Sequence, residues 1–390
     1  MRLNVPDYIM SIKPYEPGKP IDELEREYGI KNIVKLASNE NPVGTSPLAV
    51  KAIGDHLATM NRYPDGSAFK LTAKLAERFN VKYENVIVGN GSDDIIALLA
   101  HAFLGTGREA LMPLPSFLMY EISVRASGGT PVMVTLNGLS LDLDALANSV
   151  TEKTAMIFLT NPNNPTGSHF TTTEFDAFMA KIPSDVMVIV DEAYIEFARD
   201  PNIFNSLNVE NRLRNSLLNR TEVIDLESVS TAREIIPLVD SRVISLRTFS
   251  KAYGLAGFRV GYGIMDSEIV SVLHRIRQPF NVNSLAQIAA AAALDDYGFF
   301  ELGIKTMHKG IDYLVKELSA MGIKTFPTQA NFFLLDVKRD ATEVFKEMLR
   351  YGIITRSMKS YGFPSCLRIS AGLPNENRAF IEALKKVISL

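Results

Sequence analysis

Lys251 stands in the stretch RTFSKAYGLAGFRVGYG, residues 247–263, after an apolar run and the hydroxyls of Thr248 and Ser250, with Arg259 following. A solvated surface lysine needs no such surroundings. An amine that is partly desolvated and near other cations has a lowered pKa, and so attacks carbonyl carbons. Gly254, Gly257, Gly261 and Gly263 would let the backbone pass close to something bulky.

Three further stretches carry groups that could serve the same chemistry. In VIVGNGSDDIIALLAHAF a strand turns through glycines into a helix opening at Ser92 or Asp93; its free amides form a phosphate site, and an ordinary helix capped by Ser92 fits the pattern as well. Gly89 and Gly91 lack the third glycine of a dinucleotide fingerprint. In TNPNNPTG, residues 160–167, two prolines and a glycine impose a rigid turn from which Asn164 can point at a ligand. In VMVIVDEAY, Asp191 and Glu192 close an apolar run. At least one carboxylate therefore ends a buried strand, where it needs a positive partner or hydrogen bonds, unless Asp191 simply caps the next element.

Together these groups suit one small molecule. A helix start, two hydroxyls and Arg259 would hold a phosphate, Asp191 a protonated ring nitrogen, and Lys251 an aldehyde. That combination describes pyridoxal 5'-phosphate, whose protonated ring is an electron sink. An amino-transferring enzyme also needs a cationic site for its donor. Arg356 in IITRSM and Arg368 in CLRISAG fit a carboxylate or a phosphate equally, and an exposed, solvated Arg356 fits the pattern too.

Positioning these groups requires a buried sheet. The runs NVIVG, REALMP, TPVMVTL, TAMIFLT, DVMVIVD, SRVISLR and VGYGI alternate with helical stretches. Runs without polar alternation are buried on both faces, which predicts an α/β fold with a mainly parallel sheet between helix layers. All four chemical stretches then fall at strand carboxyl ends, where such sheets place ligands. After residue 266 helical periodicity takes over, followed by the strands ANFFLLDV and SCLRISAG around the helix ATEVFKEMLRYG, a smaller α+β unit. The expected division is a 1–44 segment packing on the small domain, a large cofactor-binding domain over 45–277, and a small domain over 278–390. Residues 200–240, with Asn, Arg and Ser among leucines, read as an insertion.

The stretches IKPYEPGKP, LASNENP, NRYPDG, GNGSDD, NPNNPTG, VDEAYIEF, RTFSKAYGLAGFRVGY and CLRISAG give the chain a resemblance, over nearly its whole length, to the fold-type I pyridoxal-phosphate aminotransferases, closest to those acting on histidinol phosphate. The resemblance implies the three-layer αβα fold and a Schiff-base role for Lys251, which also shuttles the substrate proton. It implies that Asp191 pairs with the ring nitrogen, that Asn164 and Tyr194 hold the ring oxygen, and that Phe117 stacks on the ring. Ser92, Asp93, Thr248, Ser250 and Arg259 then hold the phosphate, Tyr63 reaches the cofactor of a neighbouring subunit in a homodimer, and Tyr15 closes over the substrate. The implied reaction converts histidinol phosphate and 2-oxoglutarate into imidazole-acetol phosphate and glutamate, in histidine biosynthesis. The same pattern includes aromatic amino acid aminotransferases and a threonine-phosphate decarboxylase.

Composition narrows the remaining classes. A net charge of -3 offers no electrostatic reason for nucleic acid or an anionic membrane as partner. The scattered histidines show no ligand spacing, so no metal is expected. The N-terminus lacks the unbroken apolar core of a secretory signal. Cys366, the single cysteine, excludes an intrachain disulfide and, set in an alternating strand, reads as an inert half-buried thiol. A cytoplasmic enzyme is expected.

Overall fold

The computed structural model describes residues 4–15, 18–208 and 238–388. Its strands are β1 (Val34–Lys35), β2 (Val86–Gly89), β3 (Glu109–Leu114), β4 (Thr130–Thr135), β5 (Thr154–Thr160), β6 (Met187–Asp191), β7 (Val243–Thr248), β8 (Gly261–Ile264), β9 (Lys324–Thr325), β10 (Phe332–Asp336), β11 (Ile353–Ile354), β12 (Arg356–Ser357) and β13 (Cys366–Ser370). All seven apolar runs form strands of one sheet, in the order β2-β8-β7-β6-β5-β3-β4. Only β8 runs against its neighbours, antiparallel to both β2 and β7; the other pairs are parallel.

Both faces of this sheet are covered, which explains the missing polar alternation. Along β5, Met156 and Phe158 pack with helices Ser92–Phe103, Met119–Ala126 and Ser267–Ile276. Ile157 and Leu159 point the other way, onto Phe175 and Phe178 of helix Thr172–Met179 and Leu146 of helix Leu143–Asn148. This is the α/β architecture read from the sequence.

A second, antiparallel sheet has the order β12-β13-β10-β9. β1 pairs in parallel with β11 beside it, so the N-terminal segment is tied to a stretch far along the chain. Ahead of β1, helix Asp7–Met10 lies instead against helix Met119–Ala126 of the large-sheet layer. Helix Ser284–Ala293 packs on Pro47–His56 and Phe69–Phe79, and the long helix Tyr297–Ala320 on Pro374–Ile388. The reading of residues 200–240 as an insertion lies for the most part, over 209–237, outside the described residues.

Candidate active site

A cavity of about 310 Å³ opens between the carboxyl ends of β5, β6 and β7 and the β12–β13 edge. Every site residue expected from sequence lines it except Tyr63, which is 84% exposed elsewhere and stacks on Phe280 at 4.8 Å. Chain regions far apart in sequence meet here, because parallel strands end on one side and the loops that follow them converge.

Lys251 stands three residues past the end of β7. Its Nζ donates to the Ser38 carbonyl at 3.0 Å and lies 5.7 Å from the Tyr194 ring centroid. Burial, and then the charge of Arg368, lower its pKa from 10.5 to about 8. The amine is therefore far closer to its reactive form at neutral pH than a solvated lysine is.

Asp191 ends β6, 3% exposed. Its Oδ2 accepts from the Tyr120 hydroxyl at 2.7 Å and its Oδ1 from the Ala193 amide at 3.1 Å. Burial pushes its pKa up to about 6 against the opposing pull of these two bonds. Glu192 turns the opposite way, as strand alternation requires. Its carboxylate meets Arg247 Nε at 3.1 Å, the Ser245 hydroxyl at 2.8 Å and both the amide and hydroxyl of Ser206. The two adjacent acids are thus solved differently: Glu192 by a cation, Asp191 by hydrogen bonds alone, within a cavity.

At the phosphate end, helix Ser92–Phe103 begins after Gly91 (φ 86°), with no side-chain cap on its first amides. Gly91, not Ser92, holds the N-cap position, so the Ser92 and Asp93 amides face outward for an anion. Arg259 leans over this helix start, its Nη2 3.4 Å from Asp93 Oδ2 and its Nη1 3.4 Å from Ser250 Oγ. Two of the glycines after Lys251 do bring the backbone close to something, and that something is the chain itself. A Cβ on Gly261 would lie 2.4 Å from the Ser92 amide nitrogen, and one on Gly254 2.0 Å from the Gly44 carbonyl oxygen. They admit the chain's own backbone, whereas Gly257 faces open space.

On the substrate side, Arg368 of β13 donates to Asn164 Oδ1 at 2.5 Å and to the Ala37 carbonyl at 2.9 Å. Its Nε is buried with no partner, and burial lowers its pKa. Arg356 and the half-exposed Tyr15 line the same side. The Tyr194 hydroxyl accepts from Asn39 Nδ2 at 2.9 Å, leaving its proton free, and burial pushes its pKa up to about 12. Phe117 lines the cavity edge-on to Tyr120 at 5.6 Å. Cys366 is fully rather than half buried, on β13, and burial raises its thiol pKa.

Sequence reasoning assigned no role to Ser38, Asn39, Glu40, Tyr120, Thr160 or Tyr361, which line the cavity or bond to residues that do. LASNENP was visible as a motif, but nothing in it points to Lys251 or Tyr194. Tyr120 sits three positions after Phe117, and its contact with Asp191 exists only once helix and sheet pack.

The residues fit pyridoxal 5'-phosphate. A buried carboxylate lacking a cation suits a protonated ring nitrogen, an uncapped helix start with Arg259 suits a phosphate, and a lysine of lowered pKa suits an aldehyde.

Comparison with known proteins agrees. The chain is 44% identical over 386 residues to a histidinol-phosphate aminotransferase of Desulfotalea psychrophila, covering 98% of this chain and 95% of that one. It is 42% identical over 383 residues to histidinol-phosphate aminotransferase 2 of Pseudomonas aeruginosa, covering 98% and 96%. A crystal structure of the Sinorhizobium meliloti histidinol-phosphate aminotransferase in complex with pyridoxal-5'-phosphate superposes with a TM-score of 0.83 at 24% identity, covering 100% and 98%. An L-threonine-O-3-phosphate decarboxylase of Porphyromonas gingivalis shares the fold as well, with a TM-score of 0.73 at 24% identity over 92% and 100%, so fold alone does not separate transamination from decarboxylation. The family model for aminotransferases class I and II matches residues 31–384, and the chain belongs to that family.

Proposed function

We propose that the protein is a pyridoxal-phosphate-dependent transaminase of histidine biosynthesis, moving the amino group of histidinol phosphate to 2-oxoglutarate and releasing imidazole-acetol phosphate and glutamate. The observation that carries this reading is the convergence, in one cavity, of a lysine with a pKa near 8, a buried carboxylate without a cation, and two arginines. The identity to histidinol-phosphate aminotransferases over nearly the full chain supports the substrate.

Pyridoxal phosphate, when bound, supplies an aldehyde and a ring that takes up the electron pair left when the donor's C–H bond breaks. The remaining work belongs to the chain. Asp191 holds the ring nitrogen protonated; Tyr194, its proton freed by Asn39, and Asn164 orient the ring oxygen. The Ser92 and Asp93 amides, Thr248, Ser250 and Arg259 hold the phosphate, and Phe117 supports the ring face. Lys251 would hold the aldehyde, and its Nζ would move the proton at the donor carbon. Arg368, with an unpartnered Nε, and Arg356 receive the anionic end of either substrate, while Tyr15 covers them.

The working unit is a homodimer in the cytoplasm. Tyr63 and Phe280, stacked and exposed, give an apolar spot suited to a second copy, into whose site Tyr63 reaches. Among the described residues, no helix is long and apolar enough to cross a membrane.

A spectral titration of the loaded enzyme with histidinol phosphate, phenylalanine and glutamate tests the substrate. Histidinol phosphate and glutamate should convert the cofactor band to its amine form. Conversion by phenylalanine with no response to histidinol phosphate would replace this reading with an aromatic transaminase, and carbon dioxide release without an oxoacid would replace it with a lyase.

A further inference from the structure

Tyr120 is fully buried on helix Met119–Ala126, its ring stacked on Phe158 at 4.7 Å. Its hydroxyl has two partners, Asp191 Oδ2 at 2.7 Å and Thr160 Oγ1 at 2.9 Å. Thr160 in turn meets Ser116 Oγ at 3.2 Å, and Ser116 reaches Asn163 Oδ1 at 3.4 Å. Asn163 donates to Thr166 Oγ1 at 2.9 Å, inside the 160–167 turn that presents Asn164. A continuous buried chain of polar groups therefore runs from the Asp191 carboxylate to that turn.

The bonds at the Asp191 end have a direction. An ionised carboxylate only accepts, so Tyr120 must donate to Asp191 and take the Thr160 hydroxyl proton on its own oxygen. Asn163 Oδ1 only accepts as well, so Ser116 can donate to Asn163 or to Thr160. Among the described residues no cation is in hydrogen-bond contact with Asp191: Tyr120 and the Ala193 amide are its two donors. The charges that act on it most are acidic, Asp93 on the facing helix and Glu192 beside it in sequence, with the Tyr194 hydroxyl also coupled to it.

We infer that Tyr120 is a positioning residue, which acts through Asp191 by holding its carboxylate ionised and aimed at the cofactor ring, in register with the Asn164 turn. This rests on the assignment of Asp191 to the ring nitrogen. The aromatic ring supplies the packing and the hydroxyl supplies the function, so the two can be separated.

The experiment compares Tyr120→Phe, Thr160→Val and Asp191→Asn by cofactor dissociation constant, visible circular dichroism of the bound cofactor, and the split between kcat and KM. Loss of a charge-assisted hydrogen bond predicts cofactor affinity about ten- to a hundredfold weaker in Tyr120→Phe, with an altered dichroic band and kcat reduced more than KM is changed. Thr160→Val should fall between it and the parent, because Tyr120 then loses only its orienting partner. Parental affinity and dichroism in Tyr120→Phe, alongside an impaired Asp191→Asn, would overturn the role of Tyr120 alone. Parental behaviour in Asp191→Asn would remove the ring-nitrogen assignment beneath it. A Tyr120→Phe protein that fails to fold would show the hydroxyl to be structural; Thr160→Val with parental dichroism would then reject the inference.

Discussion

The lysine at the centre of the site should titrate like no free lysine. In the cofactor-free protein, burial and the nearby Arg368 bring Lys251 from 10.5 to about 8. At pH 7.5 about a quarter of it is then unprotonated amine, against roughly one part in a thousand at the ordinary value. Trace acetylation across pH 6.5–11, followed by mass spectrometry of the peptide carrying Lys251, reads this directly when each rate is divided by that of a free-amine standard. The normalised rate should reach half its plateau near pH 8, and a steric block on the reagent would scale the whole curve without moving its midpoint. Arg368→Met should shift the midpoint upward, because a neighbouring cation disfavours the ammonium form. A parental midpoint above about 10 would refute the argument that the fold prepares the amine before any cofactor arrives.

Three further outcomes follow from buried groups. Arg247→Met takes the cation away from the buried Glu192 carboxylate and leaves it the hydrogen bonds from Ser206 and Ser245; urea unfolding should register a loss of about 3 kcal/mol, and a loss below about 1 kcal/mol would mean that those bonds suffice. Glu196 is pushed by burial from 4.5 up to about 7, despite Arg247 at 4.0 Å. A raised carboxyl pKa means that the folded state holds a proton the unfolded state has released, so stability falls as pH rises from about 4.5 to about 7. Glu196→Gln should remove roughly 3 kcal/mol of that fall, and identical stability profiles for the two proteins would exclude it. Gly261→Ala drives a Cβ to within 2.4 Å of the Ser92 amide nitrogen; cofactor affinity measured by fluorescence titration should drop more than about tenfold, and parental affinity would show that the helix start shifts freely.

Much of this molecule can be read from sequence because its strands are uninterrupted apolar runs, a pattern that both-face burial imposes on TAMIFLT and DVMVIVD alike. The direction of β8 cannot be read that way. VGYGI looks like the parallel strands of the sheet, and only the way the chain returns through residues 249–260 after β7 makes it antiparallel. The chemically distinctive residues were visible too, since a lysine after β7 and acids closing β6 conflict with their apolar surroundings. What stayed hidden was partnership. That Asp191 leans on Tyr120, that Ser38 receives the Lys251 amine, and that Arg368 grips Asn164 are facts of packing between segments far apart in sequence. The glycines after Lys251 show the same limit: a missing side chain says that something comes close, and only the fold shows that at Gly254 and Gly261 it is the chain's own backbone.

One wall of the site consists of Ala37, Ser38 and Asn39, and its fixings lie almost at the other end of the polypeptide. The Asn39 amide binds Ser370 Oγ and the Ala37 carbonyl binds Arg368, each across 331 positions, while Val34 pairs with Ile353. A nascent chain extrudes residue 34 long before residue 370. The large sheet can therefore form while the later strands are still unmade, but the enclosure around Lys251 waits for residues 353–370. Free vitamin B6 aldehyde meets the finished receptor only once those later residues have folded back onto the early wall.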